Sequence, residues 1–252
     1  MNPMPSPLRL VPIPGLPEVE PGTDLAELIR GAAKKAGIDL AGTVLVVCQK
    51  IVSKAEGRLV SLTDVEPSDE ALEIAKEHDR DPRQVEVVLR ESRRIVRRGN
   101  GVLITETHHG FVCANAGVDL SNAPGPDVAV LLPEDPDASA RRLCDALSSP
   151  AGPTPVIISD TFGRPWREGL VDVALGSAGL APIRDDRGSR DRAGRELIVT
   201  QPATADQLAA AAGLLMWKSA GVPVVVVEGF PIEGDGSVKE ALLRDPSTDL
   251  FR

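Results

Sequence analysis

Residues 43–54 read TVLVVCQKIVSK. The opening run is apolar and β-branched with no polar interruption, which is the pattern of a strand buried on both faces. It then delivers Gln49, Lys50, Ser53 and Lys54 at its far end. A second run of the same kind, PVIIS at 155–159, ends on Asp160 and Thr161, and PVVVV at 223–227 is a third. Open α/β sheets place their ligands at the carboxyl ends of such strands. The residues capable of chemistry are therefore expected where these runs stop.

Outward from these strands, the chain alternates helical and extended patterns. A strand at 8–13 is followed by a Pro and Gly turn. Asp24 then offers a helix cap with Glu27 three residues on, an apolar stripe of Leu25, Leu28, Ile29, Ala32 and Ala33, and a stop at Gly37. A second capped helix is predicted from Asp81 with Pro82 in its first turn, running to Arg98. Its inner stripe is Val85, Val88, Leu89, Ile95 and Val96; Arg90, Arg93, Arg94, Arg97 and Arg98 form a solvated face, with contact to an anionic ligand as the alternative. Gly99, Asn100 and Gly101 turn the chain into a strand at 102–105, paired with 111–114 across a turn holding His108 and His109. A strand at 128–132, a helix at 137–147, a charged loop at 185–195 and a strand at 196–200 follow. Thr204 and Gln207 read as a capping box for a helix reaching about residue 219. The mixture predicts an α/β (mixed α+β) fold, with mixed sheets flanked by helices, in one domain over 1–252 made of two closely joined lobes.

Composition narrows the function. A net charge of −9 and an aromatic content of 2% with no Tyr oppose a nucleic-acid binder, which needs clustered cations and stacking rings. Cys48, Cys113 and Cys144 are odd in number and widely spaced, as expected of small buried residues in a reducing compartment, hence a cytoplasmic protein. The proline-broken N-terminus does not resemble a signal peptide. The longest apolar stretch, 208–217, is about half of the ~20 residues that span a bilayer, so no membrane segment is expected.

Neither a GxxxxGK phosphate loop nor a GxGxxG turn is present. What remains is a set of hard oxygen donors and cations: Asp119 and Asn122 after the segment CANAGVDLSN, and Asp160 and Thr161 with Arg164, Trp166 and Arg167 just beyond. Carboxylates, a hydroxyl and an amide without thiolate or imidazole suit Mg²⁺ or Mn²⁺. Each feature alone is also explained by a helix cap, an Asx-turn or a surface ion pair.

Five collinear blocks, LPEV at 16–19, QKIVSKAEGR at 49–58, NAGVDLSN at 115–122, SDTFGRPWREG at 159–169 and ELIVTQPATADQLAAAA at 196–212, together resemble the coenzyme F420:L-glutamate ligases, in their stand-alone form. The resemblance runs from about residue 8 to residue 251. It implies a ligase that joins L-glutamate to the terminal carboxylate of a deazaflavin coenzyme F420 precursor through an acyl phosphate, with further γ-linked glutamates as an extension of the reaction. It implies GTP as co-substrate, two Mn²⁺ or Mg²⁺ ions, a monovalent cation and a homodimer. By the same resemblance Asp119 and Asp160 hold one metal, and Thr161 and Gln201 the second. GTP is met by Leu16, Pro17, Glu18, Val19, Gln49, Lys54 and Asn122, and by Val199, Thr200, Gln201, Pro202, Ala203, Thr204, Ala205 and Asp206. Lys54, Asp160, Arg164 and Arg167 are the candidate catalytic side chains. Two positions depart from the family pattern, which often has Ser or Thr at Gln49 and an acid at Gln201; a neutral amide there holds the second ion less tightly. Two other readings are a glutamate ligase for a different phosphorylated acid and a GTP-binding regulatory module without chemistry.

Overall fold

The computed structural model describes residues 6–250; residues 1–5 at the start of the proline-broken N-terminus and residues 251–252, which include the end of the family resemblance at 251, lie outside the described residues. In chain order the elements are β1 (Arg9–Pro12), α1 (Leu25–Ala36), β2 (Val44–Cys48), α2 (Gln49–Ala55), β3 (Leu59–Ser61), α3 (Asp69–His78), α4 (Pro82–Arg90), β4 (Ser92–Gly99), β5 (Val102–Thr107), β6 (Val112–Ala114), β7 (Val128–Val130), α5 (Pro136–Leu147), β8 (Val156–Arg164), β9 (Arg167–Ala178), α6 (Thr204–Gly213), β10 (Val224–Glu228) and α7 (Val238–Ala241). This is the expected mixed α/β architecture. Among the described residues no helix is long and apolar enough to cross a membrane.

The main sheet has the order β1-β10-β2-β8-β9, with β2 and β8 parallel and the other neighbours antiparallel. Period-2 alternation explains why the three central strands are apolar throughout. Leu45, Val47, Val156, Ile158, Val224 and Val226 face one core with α1 and α5, whereas Val44, Val46, Ile157, Val225 and Val227 face the other, beneath α6. Because β2 and β8 run the same way, their carboxyl ends emerge side by side, with Cys48 opposite Ser159. That pairing sets Lys50 and Asp160 near one another.

A third apolar cluster joins α3 and α4 to Leu103, Ala116, Val118, Ala129 and Leu131, beside the sheets β4-β5-β6 and β3-β7. It is compatible with a second lobe. The capping expectations hold at both early helices: the Asp24 carboxylate accepts from Glu27 N at 3.0 Å and Gly37 closes α1 at φ +68°, while Asp81 accepts from Arg83 N at 2.9 Å.

Four expectations are corrected. The helix from Asp81 stops at Arg90, and residues 92–99 form β4 paired with β5. Register shifts at Ser92/Arg94 and Ile95/Arg97 interrupt the strand's alternation and give it a helix-like spacing. Residues 196–200 are not a strand: Ile198 and Val199 are 76% and 83% exposed, and only Glu196 makes an isolated bridge, to Arg190. Their β-branched character has no sheet to join. The capping box at Thr204 does not form, since Ala203 is the N-cap, without a side-chain bond, and Thr204 is the first helical residue. That helix ends at Gly213, short of residue 219. The helix α3 and the long strand β9 were not expected at all. Residues 108–110 form the expected turn, and all three cysteines are free.

Candidate active site

Lys50 lies in the first turn of α2, which begins where β2 ends. Its ammonium donates to Asp119 Oδ2 at 2.7 Å and to Ser121 Oγ at 2.9 Å. Asp119 follows a 3-10 turn, Asn115–Gly117, and is fixed by backbone bonds exchanged with Val130. Its Oδ1 accepts from Ser121 N at 2.7 Å and its Oδ2 from Ser121 Oγ at 2.9 Å. Burial raises the Asp119 carboxyl, but the Lys50 hydrogen bond and charge and the Ser121 donors outweigh it and bring it down to about 2. Lys218 adds a second cation, 3.7 Å from Asp119 Oδ2 and 3.2 Å from Ser121 Oγ.

Asp160 follows the buried part of β8. Burial, against the opposing Thr161 N–H and Lys50 charge, pushes its carboxyl up to about 7, with Asp119 and Asp172 adding to the rise. Some of its surface stays open, yet the packed groups around the carboxyl remove most of its hydration. Asp172 is the cross-strand partner of Thr161, whose hydroxyl donates to Asp172 Oδ1 at 2.5 Å. A Cβ at Gly213 would lie 2.3 Å from Asp172 Oδ2, so a larger residue at the end of α6 would displace this carboxylate. Among the described residues neither Asp160 nor Asp172 forms an ion pair.

A second group surrounds α2. Gln49 is fully buried; its Oε1 accepts from Ser53 Oγ at 2.8 Å, and its Nε2 has no partner among the described residues. Lys54, also buried, pairs with the Glu18 carboxylate, so the segment Leu16, Pro17, Glu18 and Val19 does meet α2. Glu18 itself is largely exposed, with its carboxylate drawn in by Lys54.

The remaining expected site residues are more dispersed. Asn122 takes a left-handed backbone, φ +56°, in the loop after Asp119. Thr200 and Pro202 carbonyls accept from Asp186 N and Arg184 N, pinning the approach to α6 against the loop at 182–186. Val199 and Gln201 are exposed, Ala203 is the N-cap, and Thr204 and Ala205 are buried. Asp206 turns inward to accept from Ala174 N at 2.9 Å, its carboxyl raised by burial. No hydrogen bond joins Gln201 to Asp160 or Thr161 among the described residues. Arg164 and Arg167 flank Trp166 at the exposed tip of the β8-β9 hairpin, and Arg164 donates to Glu168 O at 3.0 Å.

The donor set at the strand ends consists of carboxylates and a hydroxyl, which fits a hard divalent cation. Among the described residues no three His, Cys, Asp or Glu side chains already converge as a ligand cage, and Asp119 is held by Lys50. Two carboxylates near it without an ion-pair partner among the described residues, Asp160 and Asp172, are the feature that favours added positive charge. Sequence reasoning missed Asp172, Ser121 and Lys218. Asp172 becomes legible only once RPWRE is recognised as a hairpin tip, which sets it across from Thr161.

Comparison with known proteins gives the same direction. The family model of the F420-0:Gamma-glutamyl ligases matches residues 15–229. The chain is 48% identical to a coenzyme F420:L-glutamate ligase of Methanothermobacter thermautotrophicus, over 97% of this chain and 99% of the relative. A ligase of the same name from Methanopyrus kandleri is also 48% identical, over 97% and 98%. One from Haloarcula marismortui is 42% identical, over 97% and 96%. With Asp119 and Asp160 both acting on Lys50 and a match of this extent, the chain belongs to the F420-0:gamma-glutamyl ligase family.

Proposed function

We propose that this chain is a cytoplasmic GTP-dependent ligase that joins L-glutamate to the terminal carboxylate of a coenzyme F420 precursor and works as a homodimer. The observation that carries this reading is the approach of Asp119 and Asp160 to Lys50, with Thr161, next along β8, bonded to Asp172, in a chain whose family and near full-length relatives bear that ligase name.

Amide formation from a free carboxylate fails in water because oxide is a poor leaving group. In the proposed route a carboxylate oxygen of the acceptor attacks the γ-phosphorus of GTP, the bond to the bridging oxygen breaks, and GDP departs. The glutamate amine then attacks the acyl carbon, loses a proton, and phosphate leaves. Such transfers need positioning and charge neutralisation more than covalent help. Bound Mn²⁺ or Mg²⁺ supplies charge neutralisation at the phosphoryl oxygens; Asp119 and Asp160 would hold one ion, and Thr161 with Gln201 the other. Lys54 contributes a nearly buried ammonium for the nucleotide phosphates, close to Glu18 of the 16–19 segment. Asn122 and residues 199–206 complete the nucleotide contacts, and Arg164 and Arg167 on the hairpin offer cations to the anionic acceptor. A monovalent cation is part of the same reading.

The test is mass spectrometry of the product formed from the glutamate-free coenzyme, L-glutamate, Mn²⁺ and GTP. A mass increase of one or more glutamates, with GTP preferred over ATP at sub-saturating concentration, is expected. No adduct, or equal turnover of the two nucleotides, would refute the reading. GTP binding without hydrolysis, acceptor present or absent, would instead indicate a regulatory module.

A further inference from the structure

Both oxygens of Asp119 are occupied. Oδ1 takes the Ser121 N–H at 2.7 Å, while Oδ2 takes the Lys50 ammonium at 2.7 Å and the Ser121 hydroxyl at 2.9 Å. A divalent cation bonds a carboxylate oxygen at about 2.0–2.2 Å. An ammonium already seated on that oxygen would then stand within a few ångströms of a doubly charged ion, at a partly buried site. The two cations compete for one place. Lys50 cannot simply drift away into solvent, because its side chain is only 12% exposed and its backbone is fixed where β2 runs into α2. Its four-carbon stem does allow the ammonium to swing within the pocket.

We propose that Lys50 is an internal counter-ion that occupies the Asp119 position until a divalent metal displaces it, whereupon its ammonium is released toward the phosphoryl groups. This rests on the reading of Asp119 as a metal ligand. The charge of Lys50 also reaches Asp160, so the ammonium already serves both carboxylates that the metal would share. Lys218 is a weaker version of the same feature: it lies 3.7 Å from Oδ2 with 65% of its side chain exposed, so it can retreat at little cost.

A lysine that merely braced Asp119 would, on removal, loosen the carboxylate and weaken metal binding. A competing counter-ion gives the opposite sign. Titration calorimetry with MnCl₂ alone, on the full chain without nucleotide, separates the two. Lys50→Met should bind Mn²⁺ several-fold to tenfold more tightly than the unaltered protein, while its GTP-dependent turnover falls. Asp119→Asn should lose Mn²⁺ affinity. Unchanged or weaker Mn²⁺ binding by Lys50→Met overturns the proposal, as does an equal gain with Lys218→Met. Full Mn²⁺ affinity in Asp119→Asn overturns the metal-ligand reading and this inference with it. Thermal melting of each variant reports folding, and Lys50→Gln, which removes the charge but keeps a polar head, serves if Lys50→Met is unstable.

Discussion

The Asp160 carboxyl, pushed up to about 7 by burial, keeps its proton in the folded chain at pH values where an unfolded aspartate, near 3.9, has lost it. Between about pH 4 and 7 the folded state therefore binds more protons than the unfolded state, and stability falls as pH rises through that window. Above it the loss is complete. Discounted for the part of the residue still open to water, the loss is on the order of 1–2 kcal/mol. Asp160→Asn should thus be the more stable protein at pH 8 without added metal, and the gap should close near pH 4–5. Urea unfolding at the two pH values checks this, and a pH-independent gap would contradict it. Lys54 gives a second residue-level expectation. Its ammonium is nearly buried with Glu18 as partner, so Lys54→Met should lower turnover by about 10²-fold, as loss of one preorganised charge does, with a smaller change in GTP affinity. Steady-state kinetics beside calorimetric GTP binding decides, and unchanged turnover would remove Lys54 from the site. Asp119, Asp160 and Lys54 were legible in the sequence because each sits at the end of an unmistakably apolar strand or in a family block. Asp172, Ser121 and Lys218 were not, since their roles arise from cross-strand register and from a loop folding back over Asp119.

At the scale of elements, the contact of α5 with β9 is made by the backbone itself. A Cβ at Gly176 would lie 2.2 Å from Pro136 O and 2.7 Å from Asp137 N, and neither atom can move without shifting the helix start. The Asp137 carboxylate locks the same junction, accepting from Ser177 N at 2.9 Å, Val238 N at 2.8 Å and Lys239 N at 3.0 Å. Gly176→Ala should cost about 3 kcal/mol by overpacking, lowering the melting temperature by roughly 6–12 °C. Gly188→Ala, at φ +78° with open space around the new methyl, should cost only about 1 kcal/mol of backbone strain. A smaller melting shift for Gly176 than for Gly188 would show that the helix yields freely. Sequence patterning served best where burial is two-sided, as in β2, β8 and β10. It failed where tertiary context decides: the bulges of β4 mimic helical spacing, the exposed start of β9 lacks an apolar signal, and Ile198 and Val199 have strand propensity with no strand beside them.

For the whole molecule, the β8-β9 hairpin leaves the sheet with Trp166 79% and Leu170 68% exposed, and Ile198, Val199 and Trp217 are open as well. Trp166 and Leu170 lie on one hairpin, which gives the proposed homodimer a candidate contact face. Sedimentation should give a dimer, and Trp166→Asp with Leu170→Asp should shift it to monomer with the fold retained; a monomeric unaltered protein would refute the proposal. The order β1-β10-β2 has a separate consequence. The strand between β1 and β2 comes from Val224–Glu228, near the other end of the chain. At roughly 5–20 residues per second of synthesis, β1 and β2 wait on the order of ten seconds or more for it. Until residues 224–228 have been made, the facing hydrogen-bonding edges of β1 and β2 have no strand between them, so the sheet closes late and those edges are open to misassociation during the interval.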